Sequence, residues 1–185
     1  MSETKTYFSS NFNLGILGGG QLGKMLLTET RRYDIRTKVL DSSPEAPCRI
    51  ACNEFRQGSL TAKNTVLAFA DNCDLITIEI ENVNTEALAE LKLRGKKIYT
   101  DPDVVNIIKN KVVQKEFYAK HKIPTAAFIT FNSKQELVDL VNDSRITYPF
   151  VWKAATGGYD GKGVEIIKEV SAIENLPNVA WLAEE

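Results

Sequence analysis

Leu14 to Leu17 is a short apolar run closed by glycines, the pattern of a buried strand. From Gln21 to Arg32 the apolar residues Leu22, Met25 and Leu26 stand among charges, which predicts a helix. Lys38 to Leu40 reads as a second strand, ending at Asp41 and a Ser-Ser-Pro turn. A helix is expected over Ser59 to Ala70, with Ser59 or Thr61 near its cap. Leu75 to Ile80, rich in Ile and Thr, predicts a third strand. Asn84 to Leu93 predicts a helix and Lys97 to Tyr99 a fourth strand. Strand and helix alternate throughout, which argues for a parallel sheet with right-handed crossovers. Residues 1–12 are polar and read as a disordered lead-in.

The pattern changes after Asp101-Pro102. Helices are expected over Val104 to Ile108 and Lys111 to Lys120, with Pro102 suited to a first helical turn and Pro124 as a breaker. Ala127 to Phe131 reads as an edge strand, and Ser133 or Lys134 to Val141 as a helix. Pro149 to Lys153, Gly163 to Ile167 and Ala180 to Ala183 read as strands. The expected organisation is a parallel α/β domain over 13–101, a helical connection over 102–123 and an α+β unit over 124–185. That last unit has about sixty residues, at the margin for independent stability. Its final strand runs into Glu184-Glu185 with no turn or cap, so the end reads as a cut.

Composition narrows the field. Apolar residues make up 43% of the 185, charged residues 25%, and net charge is −1. No global field favours nucleic acid or a membrane surface, so anionic ligands must be held by local charge. No apolar run is long enough to span a bilayer, and the N-terminus has no signal-peptide core. Cys48, Cys52 and Cys73 lack a companion set for zinc and read as reduced thiols of a cytoplasmic protein. His121, in a Lys-His-Lys run, reads as a solvated helix end.

Two glycine motifs carry candidate chemistry. Gly18-Gly19-Gly20-Gln21-Leu22-Gly23 fits G-x-G-x-x-G between a strand and a helix. Glycines there let the backbone approach a phosphate, whose charge meets the free amides of the helix start. Asp41 sits where a dinucleotide fold places its ribose acid, so an NAD(P)-dependent Rossmann oxidoreductase is permitted. Simple packing of helix on strand is equally open. The second motif is Lys153, at the end of a buried strand, followed by Gly157, Gly158, Gly161 and Gly163. A strand-borne ammonium can neutralise phosphate oxygens, and a glycine loop can fold over them and exclude water. The bland alternative is a flexible hairpin, which orders its glycines at high entropic cost. No Walker string is present. Glu79 and Glu81, flanking Ile80, share one face of the expected strand end and, from the residues alone, can both face water.

The run Lys153 to Gly163, with Tyr159-Asp160 inside it, resembles the ATP-grasp glycine loop of N5-carboxyaminoimidazole ribonucleotide synthetases. Gly18 to Leu26, Asp41 to Pro47 and Thr77 to Val83 are similar to that family's opening segment, next loop and third-strand motif. The resemblance implies a Rossmann-like pre-ATP-grasp domain and the first part of an ATP-grasp domain. It implies ATP-dependent carboxylation of 5-aminoimidazole ribonucleotide by bicarbonate through carboxyphosphate, with ADP and phosphate released. Related ATP-grasp ligases or formyltransferases, and a non-catalytic nucleotide-binding module, are the alternatives.

By the same resemblance Gly20, Gln21 and Leu22 hold the ribonucleotide 5′-phosphate and Glu79 its ribose hydroxyls. Lys111 and Lys153 contact ATP phosphates, Lys111 at a position where the family often has arginine. Read from the residue alone, Lys111 is equally a surface helix charge. Gly158, Gly161 and Gly163 cover the phosphates, and Glu184 with Glu185 lies near adenine and its ribose. Tyr159, Asp160 and Lys162 lie near the aminoimidazole and bicarbonate, as the catalytic set. The Mg2+ ligands fall in the second half of the fold, beyond Glu185, so this chain is expected to be inactive alone and a homodimer when full length.

Overall fold

The computed structural model describes residues 11–158, 163–177 and 180–185. The chain divides into two compact units, Met1–Val105 and Asn106–Glu185.

The first unit runs β1 (Asn13–Leu17), α1 (Gln21–Arg32), β2 (Arg36–Asp41), β3 (Glu54–Gln57), α2 (Lys63–Ala70), β4 (Leu75–Ile78), α3 (Thr85–Leu93) and β5 (Lys97–Ile98), and α4 (Pro102–Lys109) starts within it. The five strands form one parallel sheet in the order β3-β2-β1-β4-β5. Leu14, Ile16, Val39 and Leu27 of α1 form the core on one face. Leu17, Leu40 and Ile76 pack on the other with Val66 and Phe69 of α2 and Leu88 of α3. Each such fully buried side chain is worth about 1.5–3 kcal/mol, so the paired faces fix the register.

Several sequence expectations are corrected. Phe12 belongs to the fold, not to a lead-in: it packs against the first core and its carbonyl accepts the Arg36 N–H at 3.2 Å. β3 is an additional strand with only Phe55 half-buried, so polar Glu-Phe-Arg-Gln gave no apolar signal. It is an edge strand, where charge guards against unwanted pairing, and Glu54 meets Lys38 of β2 at 2.8 Å. α2 starts at Lys63 because Leu60 plugs the core and Ser59 and Thr61 bond each other in a turn. In α1, Leu22, Met25 and Leu26 signalled the helix but stay exposed; Gly23, Leu27 and Thr30 form the buried stripe.

The second unit contains α5 (Lys111–Lys120), β6 (Phe128–Phe131), α6 (Lys134–Asn142), β7 (Phe150–Ala154), β8 (Val164–Ile167), α7 (Val170–Glu174) and β9 (Trp181–Glu184). α7 is a short helix that sequence patterning did not reveal. The strands form an antiparallel sheet in the order β6-β9-β7-β8, with β6 at an edge. Asn110 caps α5 by accepting the amides of Val112 and Val113. Ser133 caps α6 through the Glu136 amide, while Glu136 reaches back to the Asn132 N–H at 2.9 Å. Phe131, Phe150, Trp152, Ala154, Trp181 and Ala183 put one face of the sheet into the core with Leu137 and Ile173. Side chains alternate across a strand, so Val151, Lys153, Leu182 and Glu184 share the opposite face.

Candidate functional site

In the first unit β1, β2 and β4 end together, with Leu17 beside Leu40 and Ile78. Strand order reverses between β1 and β4, so the chain leaves these strands in opposite directions and opens a crevice. The glycine loop leaves β1 on one side of it and Glu79 leaves β4 on the other. Gly18 adopts φ +100°, a conformation costly for any side chain, and its N–H bonds the Leu40 carbonyl at 2.9 Å. A Cβ on Gly18 would lie 2.6 Å from Glu79 Oε2, and one on Gly20 2.6 Å from Oε1. These glycines make room for an acid of the chain itself.

Two carboxylates clasp the loop. Asp41 Oδ2 accepts the Gly19 N–H at 2.6 Å and Oδ1 the Ser43 N–H at 2.8 Å. Glu79 Oε1 accepts the Gly23 N–H, in the first turn of α1, at 3.3 Å. The pair Glu79/Glu81 shares no strand face, because β4 stops at Ile78. Cys48 supports the loop from below: its N–H bonds the Gly19 carbonyl at 2.9 Å and its thiol lies 3.6 Å from the Gly20 carbonyl. Burial pushes that thiol up to about 11, with the charges of Cys52, Glu79 and Asp41 acting the same way.

After these clasps, the amides of Gly20, Gln21 and Leu22 have no partner among the described residues. Gly20 provides no side-chain cap and the first turn carries no acid. The start of α1 therefore presents unpartnered backbone N–H donors, an arrangement that suits an anion. The dinucleotide reading loses its footing here. Both Asp41 oxygens accept loop amides, so Asp41 clasps the loop where a dinucleotide fold would give it to a ribose.

In the second unit, Lys153 of β7 and Lys115 of α5 converge on Glu184 of β9. Lys153 Nζ donates to Glu184 Oε2, and Lys115 Nζ lies 2.6 Å from Oε1. The Lys115 contact is ionic and lacks the alignment of a directed hydrogen bond. Side-chain exposures are 8% for Glu184, 11% for Lys115 and 28% for Lys153, so Lys153 is the more exposed of the two lysines. Burial pushes the Glu184 carboxyl up, but the close contacts and charges of the two lysines outweigh it and hold it below the usual range.

Lys111 is not a free surface charge. Its N–H bonds the Ala155 carbonyl at 2.8 Å, pinning α5 to the end of β7, and its ammonium reaches the Gly158 carbonyl at 3.3 Å. Gly163 closes the segment as its carbonyl accepts the Ala154 N–H at 2.9 Å. Tyr159, Asp160, Gly161 and Lys162 lie outside the described residues. Glu185 is exposed, and its N–H bonds the Ala127 carbonyl at 3.2 Å. A cavity of about 210 Å³ beside Glu184 and Glu185 is lined by Phe128, Ile146 and Phe150. His121 ends α5, exposed, with its ring against Phe117 at 4.3 Å.

Sequence reasoning missed Lys115. The available signal was its spacing: it follows Lys111 by one helical turn and so shares a helix face with it. Among the described residues no group of three or more His, Cys, Asp or Glu stands close enough to hold a metal ion, and no helix is long and apolar enough to cross a membrane.

A doubly wound sheet with a glycine loop ahead of an uncapped helix start, then an antiparallel sheet with a strand-borne lysine ahead of a glycine segment, has the make-up of an ATP-grasp protein. Residues 116–184 match the ATP-grasp domain, and residues 12–109 match the ribonucleotide synthetase preATP-grasp domain. The chain belongs to the ribonucleotide synthetase preATP-grasp family. It is 39% identical over 166 residues to a phosphoribosylaminoimidazole carboxylase of Candida glabrata, covering 87% of this chain and 29% of that protein. It is 35% identical over 158 residues to an N5-carboxyaminoimidazole ribonucleotide synthase of Aquifex aeolicus, covering 85% of this chain and 40% of the other. The N5-carboxyaminoimidazole synthase of Aspergillus clavatus, solved with ADP and 5-aminoimidazole ribonucleotide, superposes with a TM-score of 0.80 at 32% identity, covering 94% of this chain and 46% of that one. The chain thus spans less than half the length of these relatives.

Proposed function

We propose that this chain supplies the ribonucleotide seat and part of the ATP site of an N5-carboxyaminoimidazole ribonucleotide synthetase. The carrying observation lies in the second unit: Lys153 on a strand, paired with Glu184, and Lys111 at the head of α5 with its ammonium on the Gly158 carbonyl. Two ammoniums beside a glycine segment suit a triphosphate, where catalysis is chiefly positioning and charge neutralisation. The open amides of Gly20, Gln21 and Leu22 suit a single phosphate, and Glu79 beside them suits ribose hydroxyls.

In this reading a bicarbonate oxygen attacks the γ-phosphorus of ATP, the bond to the β-phosphate oxygen breaks, and ADP leaves. The exocyclic amine of the ribonucleotide then attacks the carbonyl carbon of carboxyphosphate, or CO2 released from it. Phosphate departs and the amine loses a proton as the carbamate forms. Lys111 and Lys153 balance the charge on the transferring phosphoryl group, while Tyr159, Asp160 and Lys162 stand near the aminoimidazole. Gly158, Gly161 and Gly163 close over the phosphates, and Glu184 with Glu185 flanks the adenosine. The described residues do not form a Mg2+ site. A cytoplasmic homodimer of the whole protein belongs to the same proposal.

Calorimetric titration of this chain with ATP and, separately, with 5-aminoimidazole ribonucleotide is the direct test. Both are expected to bind, and NAD is not. Saturable NAD binding in place of the ribonucleotide would overturn the assignment.

A further inference from the structure

Glu184 poses an electrostatic problem for a nucleotide site. It is a buried carboxylate, and the ammonium that neutralises it on β7 is the one needed by phosphate. If Lys153 were its sole counter-ion, drawing that lysine toward a phosphate would strand a charge in a low-dielectric interior, a costly arrangement. Lys115 resolves this.

Lys115 is held from three sides. Its ammonium pairs with Glu184 Oε1, bonds the Thr125 hydroxyl, and sits 5.7 Å from the centroid of the Phe128 ring. It is more buried than Lys153, and α5 is anchored by the Lys111–Ala155 bond and the Asn110 cap. Both ammoniums that touch the carboxylate thus differ in freedom: one is locked in place, the other belongs to the more exposed side chain. We propose that Lys115 is a positioning residue, the fixed counter-ion of Glu184 that frees Lys153 to leave this carboxylate for a nucleotide phosphate. The proposal rests on the second unit binding ATP.

The test is a double-mutant cycle read by ATP affinity. Lys115→Met leaves Lys153 as the only partner of Glu184, so ATP binding weakens by about tenfold or more. In the Glu184→Gln background there is no charge to neutralise, and adding Lys115→Met has little further effect. Lys115→Arg keeps the charge and recovers most of the affinity. A purely structural role for Lys115 predicts the same loss in both backgrounds, and that result overturns the proposal, as does an unchanged Kd in Lys115→Met. Should Lys115→Met fail to fold, Thr125→Val keeps every charge and loosens only the hydroxyl bond to Lys115. It is expected to weaken ATP binding in the same direction at smaller amplitude, again only when Glu184 is present; an unchanged Kd counts against the proposal. If the unaltered chain binds no ATP, the functional assignment and this inference fall together; if it binds and the cycle shows no coupling, only the inference falls.

Discussion

In the proposed function the two units hold phosphate with different materials. The first unit offers unpartnered backbone amides at the start of α1, shaped by glycines and clasped from the sides by Asp41 and Glu79. The second offers formal charge: Lys115 and Lys153 on the Glu184 carboxylate, and Lys111 on the Gly158 carbonyl. Oriented amides are fixed by the fold and lose nothing to titration, whereas ammoniums need counter-ions when no ligand is present. The difference teaches where each site is fragile. The amide seat fails when its shape changes; the ammonium site fails when its charge balance changes.

Removing one charge should have the largest effect. Lys153→Met is expected to weaken ATP binding by about 100-fold or more, the scale for truncating a partly buried charge. Ribonucleotide binding should stay as it was, because the first unit is untouched. Calorimetry on both ligands checks this; equal losses for the two would show that the sites are not separable in the way described.

Changing shape is the counterpart. Gly20→Ala would drive a Cβ to 2.6 Å from Glu79 Oε1, so either the acid or the loop must move. Overpacking of this kind costs about 1–3 kcal/mol. The first unit should melt earlier and lose ribonucleotide affinity, with ATP affinity preserved. Retained ribonucleotide affinity in a folded variant would mean that the Glu79 clasp does not shape the seat.

How much of this was legible in sequence follows the same division. The glycine loop, β1, β2 and β4 announced themselves because buried parallel strands are apolar runs. Edge strand β3 was silent because its residues face solvent and carry charge. Lys153 stood out because a lysine in a buried strand is conspicuous, and Glu184 drew notice only by resemblance. Lys115 did not stand out, because a lysine on a helix is ordinary until the tertiary fold brings a carboxylate to it. The apolar spacing of Leu22, Met25 and Leu26 located α1 correctly but misstated its buried face. That face was set by how closely Gly23 approaches Cys48, a packing fact that periodicity does not encode.

Acid sharpens the contrast more gently. The folded pKa of Glu184 is depressed below its ordinary 4.5, so its stabilising contribution is present above that value and is lost as pH falls through the folded pKa. In the first unit Glu90 and Asp101 are depressed in the same direction by hydrogen bonds from Lys63 and Lys92, but all four groups lie at the surface. Salt screens exposed pairs far more than buried ones. In high salt the acid-induced loss should therefore concentrate in the second unit, and Glu184→Gln should flatten it. Chemical denaturation at several pH values, with fluorescence of Trp152 and Trp181 reporting the second unit, measures this. An acid response unaltered by Glu184→Gln would locate the sensitivity elsewhere.

The smallest expected effect is a thiol rate, and it reports the first unit alone because Cys48, Cys52 and Cys73 all lie there. Burial raises Cys48 and Cys73 to about 11 and leaves Cys52 less perturbed and partly exposed. The thiolate is the reactive form, so Cys52 should be alkylated first and the other two slowly, through local opening. Cys48 holds the Gly19 and Gly20 carbonyls from beneath the loop. A phosphate seated on the Gly20 to Leu22 amides tightens that loop and should slow Cys48 labelling further, by severalfold, while leaving Cys73 nearly unaffected. ATP in the second unit should not change the Cys48 rate. Mass spectrometry of alkylated peptides with each ligand decides the matter: a Cys48 rate that responds to ATP as strongly as to the ribonucleotide would mean that ATP also occupies the amides of Gly20 to Leu22.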